Sequence, residues 1–179
     1  AWAALSDVYE QSGQLLVFVA ARRSAQSEAK KLGQRMFKHL NKHNPASLSA
    51  LKELSEKLSR ASNSVMGDIL AECVKGGVAF HHAGLRHTQR NLIENAFKER
   101  ILHCLCATPT LAAGVNLPAR RVLVRDLKRY DDGMSRFLPV MEVRQMLGRA
   151  GRPRYDPLGE AWLACKGGDP REVADEIAD

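Results

Sequence analysis

The sequence predicts an α/β fold, a parallel sheet flanked by helices, and three observations carry that prediction. Short apolar runs recur without polar alternation, as in Gln14–Ala20 (QLLVFVA), Ile101–Ala107 (ILHCLCA) and Arg121–Val124 (RVLV). That is the pattern of strands covered on both faces. Segments with apolar residues at helical spacing separate the runs, giving the strand, loop, helix order of a parallel sheet. The 179 residues are enough to bury one full core, so 1–179 reads as a single domain.

In chain order, Trp2–Ser12 reads as a short helix stopped by Gly13, and Gln14–Ala20 is the first strand. After a turn at Ala21–Arg23, Ser24 is a candidate cap for a helix with Ala25, Ala29, Leu32, Met36 and Leu40 on one face. Arg22 and Arg23 then fall in the loop at the strand's carboxyl end, the edge at which open α/β sheets bind ligands. Pro45 breaks the chain, after which Leu48, Leu51, Leu54 and Leu58 mark an amphipathic helix too short for a zipper. A further helix covers Val65–Val74.

Val78–His82 (VAFHH) is the next strand, and Thr88 is a candidate cap for a helix through Phe97. His82, Gly84 and Arg86 lie in the loop between them, again at the ligand edge. Ile101–Ala107 and Arg121–Val124 are strands separated by TPTLAAGVNLPAR. Between Arg125 and Pro139 the pattern changes, and Asp132–Gly133 between two short arms reads as an inserted β-hairpin. It carries Arg125, Lys128, Arg129 and Arg136 with Tyr130, Met134 and Phe137 interleaved. Cations among flat or apolar groups suit phosphate contact and base stacking; a solvated surface hairpin is the alternative. Pro139 opens a helix over Val140–Leu147, Glu160–Cys165 is a last strand, and Asp169 and Pro170 cap a terminal helix to Ala178. The whole order is that of a RecA-like or doubly wound sheet.

Composition narrows the class of partner. A net charge of +7 favours a polyanion, nucleic acid first, with a generally basic surface as the alternative. No apolar run approaches the roughly 20 residues of a membrane span, and no basic segment leads into an apolar core, so the chain reads as soluble and intracellular. Cys73, Cys104, Cys106 and Cys165 form no CxxC pair and read as buried free thiols. His81, His82 and His87 have no Cys or carboxylate at ligand spacing, and no metal site is expected.

Gln145–Arg152 (QMLGRAGR) is the most pointed stretch. Arg149 and Arg152 stand three residues apart, a spacing that projects both from one face of a helical turn. A guanidinium is always charged and forks onto phosphate oxygens. Gly148 and Gly151 add no bulk that would keep a ligand away. The alternative is a helix end with a glycine exit and a proline stop.

Three pieces in this order, HHAGL at His81–Leu85, ATPTLAAGVNLPARRVLVRD at Ala107–Asp126 and QMLGRAGRP at Gln145–Pro153, resemble the second RecA-like domain of a superfamily 2 helicase. Within that superfamily the look is Ski2-like, of the archaeal DNA-unwinding branch related to the helicase part of DNA polymerase theta. The resemblance implies that Arg149 and Arg152 are arginine fingers toward ATP and that Gln145 links their helix to hydrolysis. It places Gly114 and Asn116 at the nucleotide edge and Thr108 on a phosphate of the tracked strand. Arg22, His82 and Gly84 would line the same groove, largely through loop backbone. The hairpin, 125–139, would part the duplex with Tyr130, Met134 and Phe137 at the junction, and Arg129 would bind nucleic acid. Ala20–Ala21 stands where many relatives have Ser or Thr, which leaves only backbone to meet a phosphate there.

The sequence has no GxxxxGKS/T loop and no strand ending in DExH. ATP and magnesium would therefore be held mainly by a first RecA-like domain outside this sequence. The resemblance thus implies an inactive fragment of an ATP-dependent DNA helicase, 3′ to 5′ in polarity. Its DNA partner would be a forked or branched substrate with a single-stranded tail, met in repair or replication, in the cytoplasm if the source is archaeal. An RNA-unwinding Ski2-like domain and a non-catalytic nucleic-acid-binding module are the alternatives.

Overall fold

The computed structural model describes residues 1–165, 171 and 173–175. Its centre is a run of four-residue strands: β1 (Leu15–Phe18), β2 (Val78–His81), β3 (Cys104–Ala107), β4 (Arg121–Val124) and, after a separate two-stranded unit, β7 (Glu160–Leu163). They form one sheet in the order β2-β3-β1-β4-β7, every pairing parallel. All residues of β1 to β4 except the first of β4 are aliphatic, aromatic, Cys or His, and all are buried, as strands covered on both faces require. The unit between them is the expected hairpin, β5 (Lys128–Asp131) and β6 (Met134–Phe137), paired antiparallel.

The helices are α1 (Trp2–Glu10), α2 (Arg22–His43), α3 (Leu48–Ala61), α4 (Val65–Val74), α5 (His87–Lys98), α6 (Thr110–Gly114) and α7 (Val140–Leu147). α2 lies against β2 and β3, α4 against β2 and α2, α7 against β4 and α1 against β1. The leucines of α3 face inward at Leu51, Leu54 and Leu58, and Ser55 Oγ donates to the Ala71 carbonyl at 2.8 Å, joining α3 to α4.

Local chemistry moves two boundaries. α2 begins at Arg22 after an extended Ala21, so Ser24 is not its cap, and Arg22 and Arg23 occupy its first turn instead of a loop. α5 begins at His87, not after Thr88; the Gln89 side chain accepts the Arg86 N–H at 3.0 Å and so fixes Arg86 as the residue before the helix. The stretch between β3 and β4, for which the sequence predicts no element, contains α6. The expected cap at Asp169–Pro170 and most of the terminal helix to Ala178 lie outside the described residues.

One charged side chain is buried within the sheet. Arg121 opens β4 only 2 % exposed. It meets Asp7 at 2.6 Å and Glu160 at 2.7 Å, donates to the Ala4 carbonyl at 3.0 Å, and lies 4.0 Å over the Trp162 ring. A buried guanidinium needs such a full set of partners, and these partners tie α1 and β7 to β4. Cys73, Cys104 and Cys106 are buried free thiols and Cys165 is partly buried; burial pushes the Cys73 thiol up to about 12. No helix among the described residues is long and apolar enough to cross a membrane, and none of their His, Cys, Asp and Glu form a cluster able to hold a metal ion.

Candidate functional site

The carboxyl ends of β1, β2 and β3 open onto a cavity of about 430 Å³ lined by Ala20, Arg22, Thr108, Arg129, Glu142 and Gln145, among others. Thr108 follows β3 directly; its N–H donates to the His81 carbonyl at 3.3 Å and its hydroxyl lies 3.0 Å from that of Thr110. Arg22 is exposed in the first turn of α2. The backbone that would stand in for the missing hydroxyl after β1 is itself engaged at Ala20, whose N–H donates to Asp126 Oδ2 at 3.2 Å.

His82 takes a different place from the one expected. It has no exposed surface and so presents nothing to a groove. Its Nδ1 accepts the Gly84 N–H at 3.1 Å, and its Nε2 lies 3.1 Å from the Gln26 side-chain amide. Burial, and secondarily the Arg22 charge, hold its pKa below the usual range. The neutral ring is a prop that shapes the exposed Gly84 loop from behind.

The hairpin turn at Asp132 (φ 48°) and Gly133 (φ 78°) has two positive φ values, the two-residue geometry that matches strand twist. Tyr130 is 79 % exposed, Met134 54 % and Phe137 39 %. Lys128 Nζ lies 4.1 Å from the Phe137 ring centre. Arg129 turns back to the groove, where Nη1 donates to the Glu142 carboxylate at 3.0 and 3.3 Å. Arg125, expected among the hairpin's cations, is instead a clamp at its root: Nη1 donates to Glu28 at 2.6 Å and Nε and Nη2 to Asp126 at 3.0 and 2.8 Å.

The arginine stretch departs from its expected geometry. α7 ends at Leu147 with Gly148 as its cap, so Arg149 and Arg152 do not share a helical face. The chain runs on beside Ala119, which receives the Gly151 N–H at 2.7 Å and donates to the Arg149 carbonyl at 3.0 Å. Gly151 turns there with φ 90°. A Cβ on Gly159 would lie 2.5 Å from the Gly151 nitrogen, so the loop closes only because both residues lack side chains.

Arg149 is half-buried and donates to Asn116 Oδ1 at 3.2 Å and to the Ala112 carbonyl. Gly114, one turn away, faces open space. Arg152 is 8 % exposed and committed at every nitrogen: Nε and Nη2 fork onto Asp156, each at 2.8 Å, and Nη1 donates to Gln14 Oε1 at 3.0 Å. Gln14 in turn donates to the carbonyls of Phe97 and Leu102 at 2.8 and 2.7 Å. The Arg152 hydrogen bond above all holds the Asp156 carboxyl below its usual range. Gln145 lies on the exposed side of α7, in the groove with Thr108.

The structure thus brings Thr108, Arg22, Arg129 and Gln145 together at the carboxyl edge and Gly114, Asn116 and Arg149 together beside α6. It sets Arg152 apart at the amino ends of the strands. Asp156, Gln14 and Glu142 are the partners that sequence reading missed. Asp156, four residues beyond Arg152, and Gln14, a polar residue opening an apolar run, are the signals that were there to use.

Comparison with known proteins gives the family. The family described as helicase conserved C-terminal domain matches residues 55–154. The chain is similar to proteins named ATP-dependent DNA helicase Hel308. That of Methanocella arvoryzae is 46% identical over 166 residues, 92% of this chain and 22% of the relative. That of Pyrococcus horikoshii is 44% identical over 168 residues, 93% and 22%, and that of Thermoplasma volcanium 42% over 172 residues, 96% and 23%. The chain therefore spans about a fifth of the length of the curated relatives it matches.

Proposed function

Because this chain belongs to the helicase conserved C-terminal domain family, we propose that it is the second motor domain of an ATP-dependent DNA helicase. The observation that supports this reading best is that one short helix, α7, borders both sites. Gln145 faces the Thr108 groove, and Arg149 follows from the helix end to meet Asn116. A domain that couples a nucleotide to a strand needs such a shared element.

In this reading ATP and magnesium are held mainly by a first RecA-like domain. Magnesium held there would supply charge neutralisation to the phosphates, and among the described residues of this chain no carboxylate cluster would hold it. Arg149 and Arg152 are the arginine fingers, but unequal ones. Arg149 is held by two neutral acceptors, and an anionic phosphate is the stronger partner for a guanidinium. Arg152 joins it only by exchanging the Asp156 carboxylate for phosphate. Thr108, Arg22 and the Gly84 loop hold the tracked strand's phosphates. Tyr130, Met134 and Phe137 wedge a fork whose base-pair steps are worth about 1.4 kcal/mol each. Movement is 3′ to 5′ on forked or branched DNA with a single-stranded tail, in repair or replication inside the cell.

The test is unwinding by the full-length protein of tailed DNA and tailed RNA duplexes of one sequence, with ATP hydrolysis read beside it. DNA unwinding with DNA-stimulated hydrolysis is expected. Preference for the RNA duplex would make this an RNA-unwinding domain, and hydrolysis absent with both would leave a binding module.

A further inference from the structure

Charge is the most unevenly distributed property of this molecule. The chain's net charge is +7, and α2 alone holds seven Lys and Arg against a single carboxylate, Glu28. One helix therefore supplies six of the seven net charges. Glu28 does not offset its neighbours, because it is turned onto Arg125 at 2.6 Å. α3 behaves differently: Glu53 meets Lys57 at 2.7 Å and Glu56 meets Arg60 at 3.8 Å, so that helix neutralises itself.

Lys31, Arg35, Lys38 and Lys42 follow one another at intervals of three or four residues and are all exposed. Cations at that spacing stand side by side and repel one another. Among the described residues no carboxylate pairs with any of them; Arg35 rests over the Trp2 ring at 5.5 Å. Beside this stripe a cleft of about 430 Å³ between α2 and α4 is lined by Lys30, Phe37, Lys38, Glu72, Cys73 and Lys75. Glu72 is taken by Lys75 at 2.6 Å, which leaves Lys30 and Lys38 unmatched around a Phe37 ring that is 42 % exposed.

Phosphates of a duplex need cations alone. An open aromatic ring set among unmatched cations is the combination that holds a single strand, by stacking a base while the backbone follows the charge. α2 also begins at the groove, with Arg22 in its wall, and its 22 residues lead away from it for about 33 Å. The Arg125–Glu28 pair fastens the hairpin root against the same helix.

We propose that the outer face of α2, with the α2–α4 cleft, is a second nucleic-acid site that takes the single strand deflected at the hairpin. This rests on the nucleic-acid reading above and adds a surface outside the motif-bearing groove. The charge that makes the chain basic serves the strand that is not tracked.

The experiment uses the full-length protein and two fluorescein-labelled DNAs, one a duplex with a single 3′ tail and one a fork with both tails. Binding is read by anisotropy over a series of salt concentrations. For K31E/K38E, affinity for the fork falls about tenfold, and its salt dependence becomes shallower by about 0.7 in log K per log salt for each lysine removed. Affinity for the single-tailed duplex and the hydrolysis it stimulates stay unchanged. Phe37→Ala weakens the fork alone without changing the salt slope. The milder K31Q/K38Q gives the same ordering should charge reversal disturb folding. Equal weakening on both DNAs, or no change on either, overturns the proposal. Arg22→Ala separates the two readings: if it leaves the single-tailed duplex as tightly bound as before, the groove assignment fails and the α2 result stands on its own.

Discussion

Arg149 and Arg152 stand three residues apart in two different worlds. Arg149 is half-exposed beside α6, with an amide and a backbone carbonyl for partners. Arg152 is sealed at the amino edge of the sheet, where Asp156 and Gln14 take every nitrogen. The difference lies in what surrounds each end of the sheet. At the carboxyl edge strands pass into loops that leave side chains free for a ligand. At the amino edge the loop after α7 must close against Ala119 and Gly159, and a charge caught in that closure needs a carboxylate. Sequence spacing is blind to that distinction.

The comparison breaks most sharply at Arg152. In the full-length protein, Arg152→Ala lowers DNA-stimulated ATP turnover by about 10³–10⁵, the range for an arginine finger. It also leaves Asp156 buried and unpaired, which costs about 3 kcal/mol of stability. Hydrolysis assays and thermal melts on one preparation separate the two losses. Asp156→Ala strands the guanidinium instead and costs a similar amount, about 6–12 °C in Tm for a domain of this size.

Two acid dependences sharpen the picture of a sealed edge. Asp156 has its folded pKa depressed by Arg152, so its contribution is complete above the unfolded value of about 3.9. That contribution is lost as pH falls through the folded one, and Asp156→Asn removes this lowest limb of the melting curve. His103, just before β3, is partly buried, its Nε2 shut off from solvent, in T-shaped contact with Tyr9, ring centres 4.8 Å apart. Burial depresses its pKa to about 4. A neutral histidine in the fold that protonates readily when unfolded stabilises fully above about pH 6.5. The stability is then lost toward pH 4 with a slope of up to about 1.4 kcal/mol per pH unit. Tm measured from pH 7 to 4 should fall with this slope and flatten in His103→Gln.

The smallest effect belongs to the open edge. Arg129 and Glu142 are partly exposed, and such a pair contributes about 0.2–1 kcal/mol. Glu142→Gln therefore leaves Tm nearly unchanged. By freeing Arg129 in the groove it raises affinity for tailed DNA about two- to fivefold, read by anisotropy at one salt concentration.

Local signals were the legible ones. β4, α4 and α7 fall where their residues predict them because uninterrupted apolar runs, helical spacing and Pro139 act over a few residues. The Asp132–Gly133 turn is equally local, and it sets the hairpin. Errors arose where a distant residue decides the outcome. Arg125 reads as a hairpin cation until Glu28, 97 residues away, is folded against it. The partners of Arg152 are half legible, because Asp156 lies four residues on, whereas Gln14, 138 residues away, is seen only in the fold. His82 reads as groove lining because its loop is, and only the packed ring reveals the prop. The excess of charge on α2 was present in the sequence all along; its separation from the motif-bearing groove became visible only with the fold.

The most direct test of the account is ATP turnover by the full-length Arg149→Lys protein, with DNA affinity and Tm measured on the same sample. Lysine keeps the charge and loses the fork. The account predicts that turnover collapses by at least about 10³ while DNA affinity and Tm hold, because Arg149 supports neither the groove nor the sealed edge. Turnover close to that of the parent would contradict it and remove Arg149 from the fingers.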